Sequence, residues 1–202
     1  PPAGEEELTM SIGEPQHPYP DLVTALLSKN SSLWGKYPPT AGTKELRRSI
    51  ANWLTHRYGL TATFINPDNN VLPVAGTREA LFSVALMATP QTGKGPRPTV
   101  LIPDPFYQIY SGAAIMAGAE PVYLPTSKET GFLPDFESVS QDQLERASLA
   151  YICSPSNPQG AAATIEQFSR YVEIARSYNF VLAVDECYSE IYFDPRCRQS
   201  NS

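Results

Sequence analysis

The sequence predicts an α/β fold in which a mostly parallel sheet is covered by helices on both faces. From about residue 71, short apolar runs alternate with segments whose apolar residues recur at helical spacing. Strands joined by helices in this way build parallel sheets. The last run, Phe180–Val184, is apolar throughout, as expected of a buried strand. With 202 residues, 42% of them hydrophobic, the chain can form one domain, or one domain and part of another.

The N-terminal part alternates proline-rich loops with amphipathic helices. Ser11–Pro20 is predicted to be an extended loop, because its prolines lack the amide donor that a helix needs, and Trp34–Gly42 is predicted to be a second, rigid loop. The spacing of apolar residues predicts helices over Asp21–Lys29 and Lys44–Tyr58, and Gly59 ends the second helix.

The rest of the chain supplies the sheet and its covering helices. The predicted strands are Val71–Val74, Thr99–Ile102, Glu120–Leu124, Ser148–Cys153 and Phe180–Val184. The predicted helices are Thr77–Ala88, Tyr107–Ala117 and Thr164–Tyr178. Residues 1–45 are expected to form an N-terminal segment, part of a small domain with active-site loops, and residues 46–202 are expected to form part of a large domain.

Charge, apolar runs and the number of cysteines and histidines limit the classes of function that this chain can have. A net charge of -6 argues against a nucleic-acid-binding surface, and no apolar run has the length of a membrane span. The three cysteines have no CxxC spacing, which favours reduced thiols and a cytoplasmic protein. Neither histidine has metal-ligand spacing, so no metal is expected.

Asp185 follows the last predicted strand, and Tyr188 lies three residues further on. Ligands bind beyond the carboxyl ends of parallel strands in open α/β sheets. An acid at that edge can pair with a cationic ring nitrogen, as a pyridinium cofactor requires, while a tyrosine donates to a neighbouring oxygen. The alternative is an acid that caps the next element.

Three loops that precede or follow other predicted elements could complete such a site. Gly76, Thr77 and Arg78 start a helix, whose free amides can bind phosphate, although the pattern also fits an ordinary turn. Tyr107 follows a loop fixed by two prolines and could stack on a flat ring or pack in the core. The Asn157 amide could donate to a phenolic oxygen, and Asn157-Pro158 can form a turn with a cis peptide bond.

Six segments in order and spacing resemble the class I/II aminotransferases of fold type I, which use pyridoxal phosphate. The segments are SIGEPQHP, KYPPTAG, AGTREAL, PDPFYQIY, CSPSNPQG and DECYSEIYF. The resemblance runs from about Leu8 to Phe193 and implies the type I fold of these enzymes. Within the family, the likeness is to the N-succinyl-diaminopimelate aminotransferases of lysine biosynthesis, which implies amino-acid and keto-acid substrates, glutamate as donor and a homodimer.

The resemblance also implies a role for each matching residue. Asp185 would pair with the protonated ring nitrogen, and Tyr188 would hydrogen-bond the phenolic oxygen together with Asn157. Tyr107 would stack on the ring. The cofactor phosphate would be bound by Gly76, Thr77 and Arg78. The substrate-binding residues would be Gly13, Asn157 and Tyr37. Tyr37 would also reach the partner subunit's cofactor phosphate.

The chain also departs from the family pattern. It has no lysine after Asp185, where the family places its Schiff-base lysine, and Lys128 is in no matching position. The C-terminal arginine that binds the substrate carboxylate is also missing. The chain is therefore expected to be a truncated fragment that is inactive alone.

Two other functions stay open at this point. A non-catalytic, cofactor-binding or dimer-forming remnant would share the fold and lack turnover. The other is a nucleotide hydrolase, because VLAVDE is similar to a magnesium-binding Walker B strand. The nearest candidate for the Walker A loop is ATPQTGKG at Ala88–Gly95, which lacks the first glycine and the final hydroxyl residue of that motif.

Overall fold

A computed structural model describes residue 4, residues 18–91, residue 93 and residues 95–192. The chain forms two compact units, residues 1–40 and residues 41–202. In the first unit, α1 (Leu22–Lys29) is followed by a 3₁₀ helix at Ser31–Leu33, and none of the α1 residues is buried. Tyr37 is fully exposed. The predicted division near residue 45, with its assignment of roles, stays a prediction.

The second unit contains a sheet and five α-helices among its described residues. The helices are α2 (Lys44–Arg57), α3 (Thr77–Ala88), α4 (Gln108–Met116), α5 (Gln141–Glu145) and α6 (Ile165–Tyr178). The strands are β1 (Thr99–Asp104), β2 (Glu120–Pro125), β3 (Ala147–Cys153) and β4 (Val181–Asp185). A second 3₁₀ helix covers Phe136–Ser138.

All pairings in the sheet are parallel, in the order β2-β1-β3-β4. After β1 the chain forms β2 on one side of β1, and it then crosses over to form β3 on the other side of β1. Such a reversal of strand order opens a crevice between the loops at the carboxyl ends. The predicted α/β class with a parallel sheet is confirmed.

Each face of the sheet has its own hydrophobic core, because successive side chains of a strand point to opposite faces. In β3, Leu149 and Tyr151 belong to the core beneath α3 and α4. Their neighbours Ala150 and Ile152 belong to the core beneath α6, which also contains Phe136. Helices thus cover both faces, as predicted.

One local prediction was wrong, and one helix was missed. Val71–Val74 forms no strand, and Pro73 within it has no amide hydrogen to contribute to a ladder. A strand needs a partner, which a short apolar run cannot specify. Helix α5 was missed, because five residues contain too little periodicity to be recognised.

The C-terminus of α4 shows why its glycines differ in importance. Gly118 has a φ of 82°, and the bonds from Gly118 N to Ile115 O (3.0 Å) and from Ala119 N to Ala114 O (2.9 Å) form a Schellman motif. Gly112 lies inside the helix, and a Cβ there would meet no atom within 4 Å. Only Gly118 uses a conformation that other residues avoid.

We expect Gly118→Ala to lower the free energy of unfolding by about 1 kcal/mol, because alanine is strained at positive φ. The matched change Gly112→Ala should raise it by about 0.5–1 kcal/mol, since alanine favours the helix interior. Urea denaturation of both variants measures the difference. Equal effects of the two changes would contradict the assignment of the cap.

Buried tyrosines make stability sensitive to alkaline pH. Burial raises the pKa of Tyr151 and of Tyr171 to about 12. In the unfolded chain these phenols ionise near pH 10. The stabilisation of their neutral forms is complete below pH of about 10 and is lost as pH rises towards 12, because the unfolded state then binds fewer protons.

We therefore expect the urea midpoint to fall between pH of about 9 and about 11. Tyr171→Phe removes one ionising group and should make this fall smaller. Tyr19→Phe is the control, because that ring is exposed, and it should leave the fall unchanged. An identical fall in Tyr171→Phe would show that this phenol does not contribute.

Candidate active site

Asp185 ends β4 at the carboxyl edge of the sheet and is only 8% exposed. Its Oδ2 accepts a hydrogen bond from the Tyr110 hydroxyl at 2.8 Å, and its Oδ1 accepts one from the Cys187 amide at 3.3 Å. Asp185 forms no salt bridge with any basic residue that the structure describes. A buried carboxylate without a cationic partner is costly, so this position is suited to binding a cation.

Asn157 and Tyr188 come together at the same edge. The Asn157 Nδ2 donates to the Tyr188 hydroxyl over 3.0 Å, which joins the loop after β3 to the segment after β4. Burial raises the pKa of Tyr188, and the hydrogen bond from Asn157 opposes that rise. The peptide bond Asn157–Pro158 is cis, as the sequence allows. The two polar groups form a pair that can contact one oxygen of a ligand.

The first amides of α3 have no side-chain cap. Gly76 precedes the helix in an extended conformation and has no side chain that could provide one. The Glu79 carboxylate lies beside Gly76, with Oε2 2.6 Å from where a Cβ would be, and a phosphate bound here would displace it. Thr77 and Arg78 are exposed at the same place. This end of α3 therefore suits a phosphate group.

Arg78 links this end of α3 to the loop after β1. Its Nε donates to the Tyr107 hydroxyl over 2.8 Å. Tyr107 is half-buried and meets Tyr110 edge to face, with ring centroids 5.9 Å apart. Since Tyr110 reaches Asp185, contacts run without interruption from the N-terminus of α3 to the end of β4. The structure thus brings together Arg78, Tyr107 and Asp185.

The segment that follows β4 is attached to the end of α2. Tyr58 donates to Glu186, and Arg57 forms an ion pair with Glu190. Burial and the hydrogen bond to Glu186 raise the pKa of Tyr58 to about 12, so its hydroxyl stays a donor. These contacts fix the backbone on both sides of Tyr188.

Two free thiols flank the acid. In the register of β3 and β4, Cys153 lies opposite Asp185, and Cys187 lies two residues after Asp185. Burial and the Asp185 charge raise the pKa of both thiols, that of Cys187 to about 12. They therefore stay neutral beside Asp185.

Two predicted site residues are not placed with the others. Gly13 lies outside the described residues, and Tyr37 belongs to the first unit. Tyr110, Tyr58 and Glu186 were missed by sequence reasoning. Tyr110 follows Tyr107 by three residues, so helical spacing alone could have suggested that it faces the same side.

The described residues of the Walker A-like segment Ala88–Gly95, which leave out residues 92 and 94, do not have the position of a phosphate-binding loop. Such a loop leads from a strand into the N-terminus of a helix. Thr89 instead caps the C-terminus of α3, and the segment leads towards β1.

Metal binding and membrane crossing find no support in the described residues. Where the chain is described, no group of three His, Cys, Asp or Glu side chains could hold a metal ion. Within the same residues, no helix has both the length and the apolar character needed to cross a membrane.

Comparison with known proteins identifies relatives of this arrangement. Residues 5–200 match the family described as aminotransferase class I and II. An LL-diaminopimelate aminotransferase of Dehalococcoides mccartyi is 37% identical over 193 residues, which are 95% of this chain and 48% of that protein. One from Desulforudis audaxviator is 34% identical, with 95% and 47% covered. The chain thus spans about half the length of the curated relatives that it matches.

Solved structures agree with the sequence comparison. An aminotransferase from Neisseria meningitidis superposes with a TM-score of 0.89 at 39% identity, covering 98% of this chain and 50% of the other. The aminotransferase AspB from Helicobacter pylori gives a TM-score of 0.79 at 32% identity, with 90% and 46% covered. The fold is therefore that of aminotransferases, which sets aside the nucleotide hydrolase.

Proposed function

Because the chain belongs to the class I and II aminotransferases, we propose that the full-length protein moves an amino group from an amino acid to a keto acid with pyridoxal phosphate as cofactor. The observation that supports this most strongly is the buried carboxylate of Asp185, which has no basic partner among the described residues and ends β4 at the sheet edge where Asn157 contacts Tyr188. A cationic ring nitrogen would supply the missing charge.

In this proposal each residue of the chain has a distinct task. Asp185 keeps the ring nitrogen protonated by its negative charge. Tyr188 and Asn157 donate to the phenolic oxygen of the ring. Pyridoxal phosphate, when bound, supplies an electron sink for the electron pair released at the substrate Cα. Without the charge of Asp185 that sink would be weaker.

The other two loops hold the cofactor in position. The first-turn amides of α3, with Gly76 and Thr77, bind the phosphate group. Tyr107 covers one ring face, and its bond from Arg78 ties the ring-binding loop to the phosphate-binding helix. Gly13 is proposed to lie at the substrate carboxylate.

We further propose glutamate as the amino donor and N-succinyl-2-amino-6-ketopimelate as the acceptor. The resemblance of the six sequence segments supports this choice. The names of the relatives favour a second candidate, the transamination of LL-diaminopimelate itself. The amino forms of the two candidates, N-succinyl-LL-diaminopimelate and LL-diaminopimelate, share the pimelate skeleton and differ in the succinyl group.

A homodimer in the cytoplasm is part of the same proposal. Tyr37 is fully exposed within its unit, which fits a side chain that reaches the cofactor phosphate of a partner subunit. The absence of any CxxC spacing is consistent with a reducing compartment.

The test uses the full-length protein. Addition of pyridoxal phosphate should produce a protein-bound visible absorption band, and glutamate should convert it in a single half-reaction. With 2-oxoglutarate as acceptor, N-succinyl-LL-diaminopimelate should react at least about tenfold faster, as kcat/KM, than LL-diaminopimelate. The reverse preference would favour the second candidate, and no cofactor binding with no half-reaction would overturn the aminotransferase proposal.

A further inference from the structure

The Asp185 carboxylate is oriented from inside the protein by a tyrosine outside the predicted cofactor loops. Tyr110 lies on α4 and is 1% exposed. Its hydroxyl is 2.8 Å from Asp185 Oδ2, whereas the Cys187 amide contacts Oδ1. With one donor on each oxygen, the plane of the carboxylate is fixed.

Tyr110 is itself held in place. Its ring stacks on that of Tyr151, with centroids 4.4 Å apart and an interplanar angle of 12°. Tyr107 contacts Tyr110 edge to face, with ring centroids 5.9 Å apart. These two ring contacts, which do not involve the hydroxyl of Tyr151, restrict the rotation of the Tyr110 phenol. The Tyr151 hydroxyl donates to Leu81 O over 2.6 Å and takes no part in the contact with Asp185.

The chemistry of the contact suits a partner that must keep its charge. Burial and the hydrogen bond to Asp185 raise the pKa of Tyr110, so its hydroxyl keeps its proton and donates. A neutral donor orients a carboxylate and leaves its negative charge in place. An arginine or lysine there would neutralise Asp185, and none of the described basic residues forms a salt bridge with it.

We propose that Tyr110 is a positioning residue for the aminotransferase reaction, which holds the Asp185 carboxylate aimed at the cofactor's ring nitrogen. This inference rests on the function proposed above. It assigns Tyr110 no contact with the cofactor or substrate. Its effect on the reaction passes through Asp185.

Tyr110→Phe and Tyr151→Phe form a matched pair of variants in the full-length protein. Each removes one buried hydroxyl and its hydrogen bond and keeps the stacked ring. In Tyr110→Phe we expect kcat to fall by about tenfold with KM within about threefold, because the lost bond was made to a charged group. The apo-protein should also bind pyridoxal phosphate at least about threefold more weakly. Tyr151→Phe should leave all three values within about twofold of wild type.

A double-mutant cycle separates positioning from general packing. If Tyr110 acts through Asp185, adding Tyr110→Phe to Asp185→Asn should slow turnover no further than about twofold. Multiplied defects, or equal behaviour of Tyr110→Phe and Tyr151→Phe, would overturn the inference. Failure of the proposed function would appear separately, as a wild-type protein with no cofactor binding and no half-reaction.

Discussion

Asp185→Asn in the full-length protein should lower kcat by about 10²- to 10³-fold, the range seen when one preorganised electrostatic group is removed from an active site. Asparagine has nearly the same shape, and its oxygen can still accept the Tyr110 hydroxyl. What is lost is the negative charge that keeps the ring nitrogen protonated. Because that charge matters most in the transition state, the dissociation constant of pyridoxal phosphate should change less than tenfold.

Asp104→Asn is the matched control for this variant. Asp104 ends β1 at the same edge of the sheet, but its side chain is exposed. Turnover of the Asp104→Asn variant should stay within about twofold of wild type. Stopped-flow measurement of the glutamate half-reaction with both variants separates chemistry from product release. Near-normal turnover of Asp185→Asn would show that Asp185 only caps the end of β4.

Phe136→Ala should lower the free energy of unfolding by about 3–5 kcal/mol. Phe136 is 1% exposed in the core beneath α6. Its ring lies 4.8 Å from that of Tyr171 and 6.2 Å from that of Phe180, measured between centroids. Alanine would leave a cavity between the 3₁₀ helix, α6 and the start of β4.

Phe64→Ala makes the same truncation at a ring that is 69% exposed, and it should cost less than about 1 kcal/mol. Urea denaturation of the full-length protein gives both values. Since Phe136 belongs to the core on the face opposite to Tyr110, the folded variant should retain its affinity for pyridoxal phosphate. Similar losses of stability in the two variants would contradict the described packing.

The elements that local chemistry specifies were predictable from sequence. The hydroxyl of Thr43 accepts from Leu46 N at the start of α2, and Gly59 and Gly118 adopt the positive φ that helix ends favour. These signals lie within a few residues of the boundary that they define. For the same reason, the predicted helix and strand boundaries outside Val71–Val74 agree with the structure to within two residues.

Contacts between distant segments were not predictable in the same way. The sequence suggested that Asp185, Asn157 and Tyr107 reach one edge, because each follows a strand or lies near its end. It contained no signal that Tyr110 meets Asp185, since 75 residues separate them and periodicity does not specify which strand end a helix faces. The prediction of a strand over Val71–Val74 was wrong for a related reason, because whether a segment pairs in a sheet depends on residues that are remote in sequence.

The parallel rings of Tyr110 and Tyr151 have an optical consequence. Both tryptophans are substantially exposed, with Trp34 at 69% and Trp53 at 49%, so tryptophan emission reports mainly on the protein surface. Stacked tyrosines in a fixed, asymmetric environment instead give a near-ultraviolet circular dichroism signal, which disappears when side-chain packing is lost. This signal would follow the order of the core behind Asp185 without an added probe.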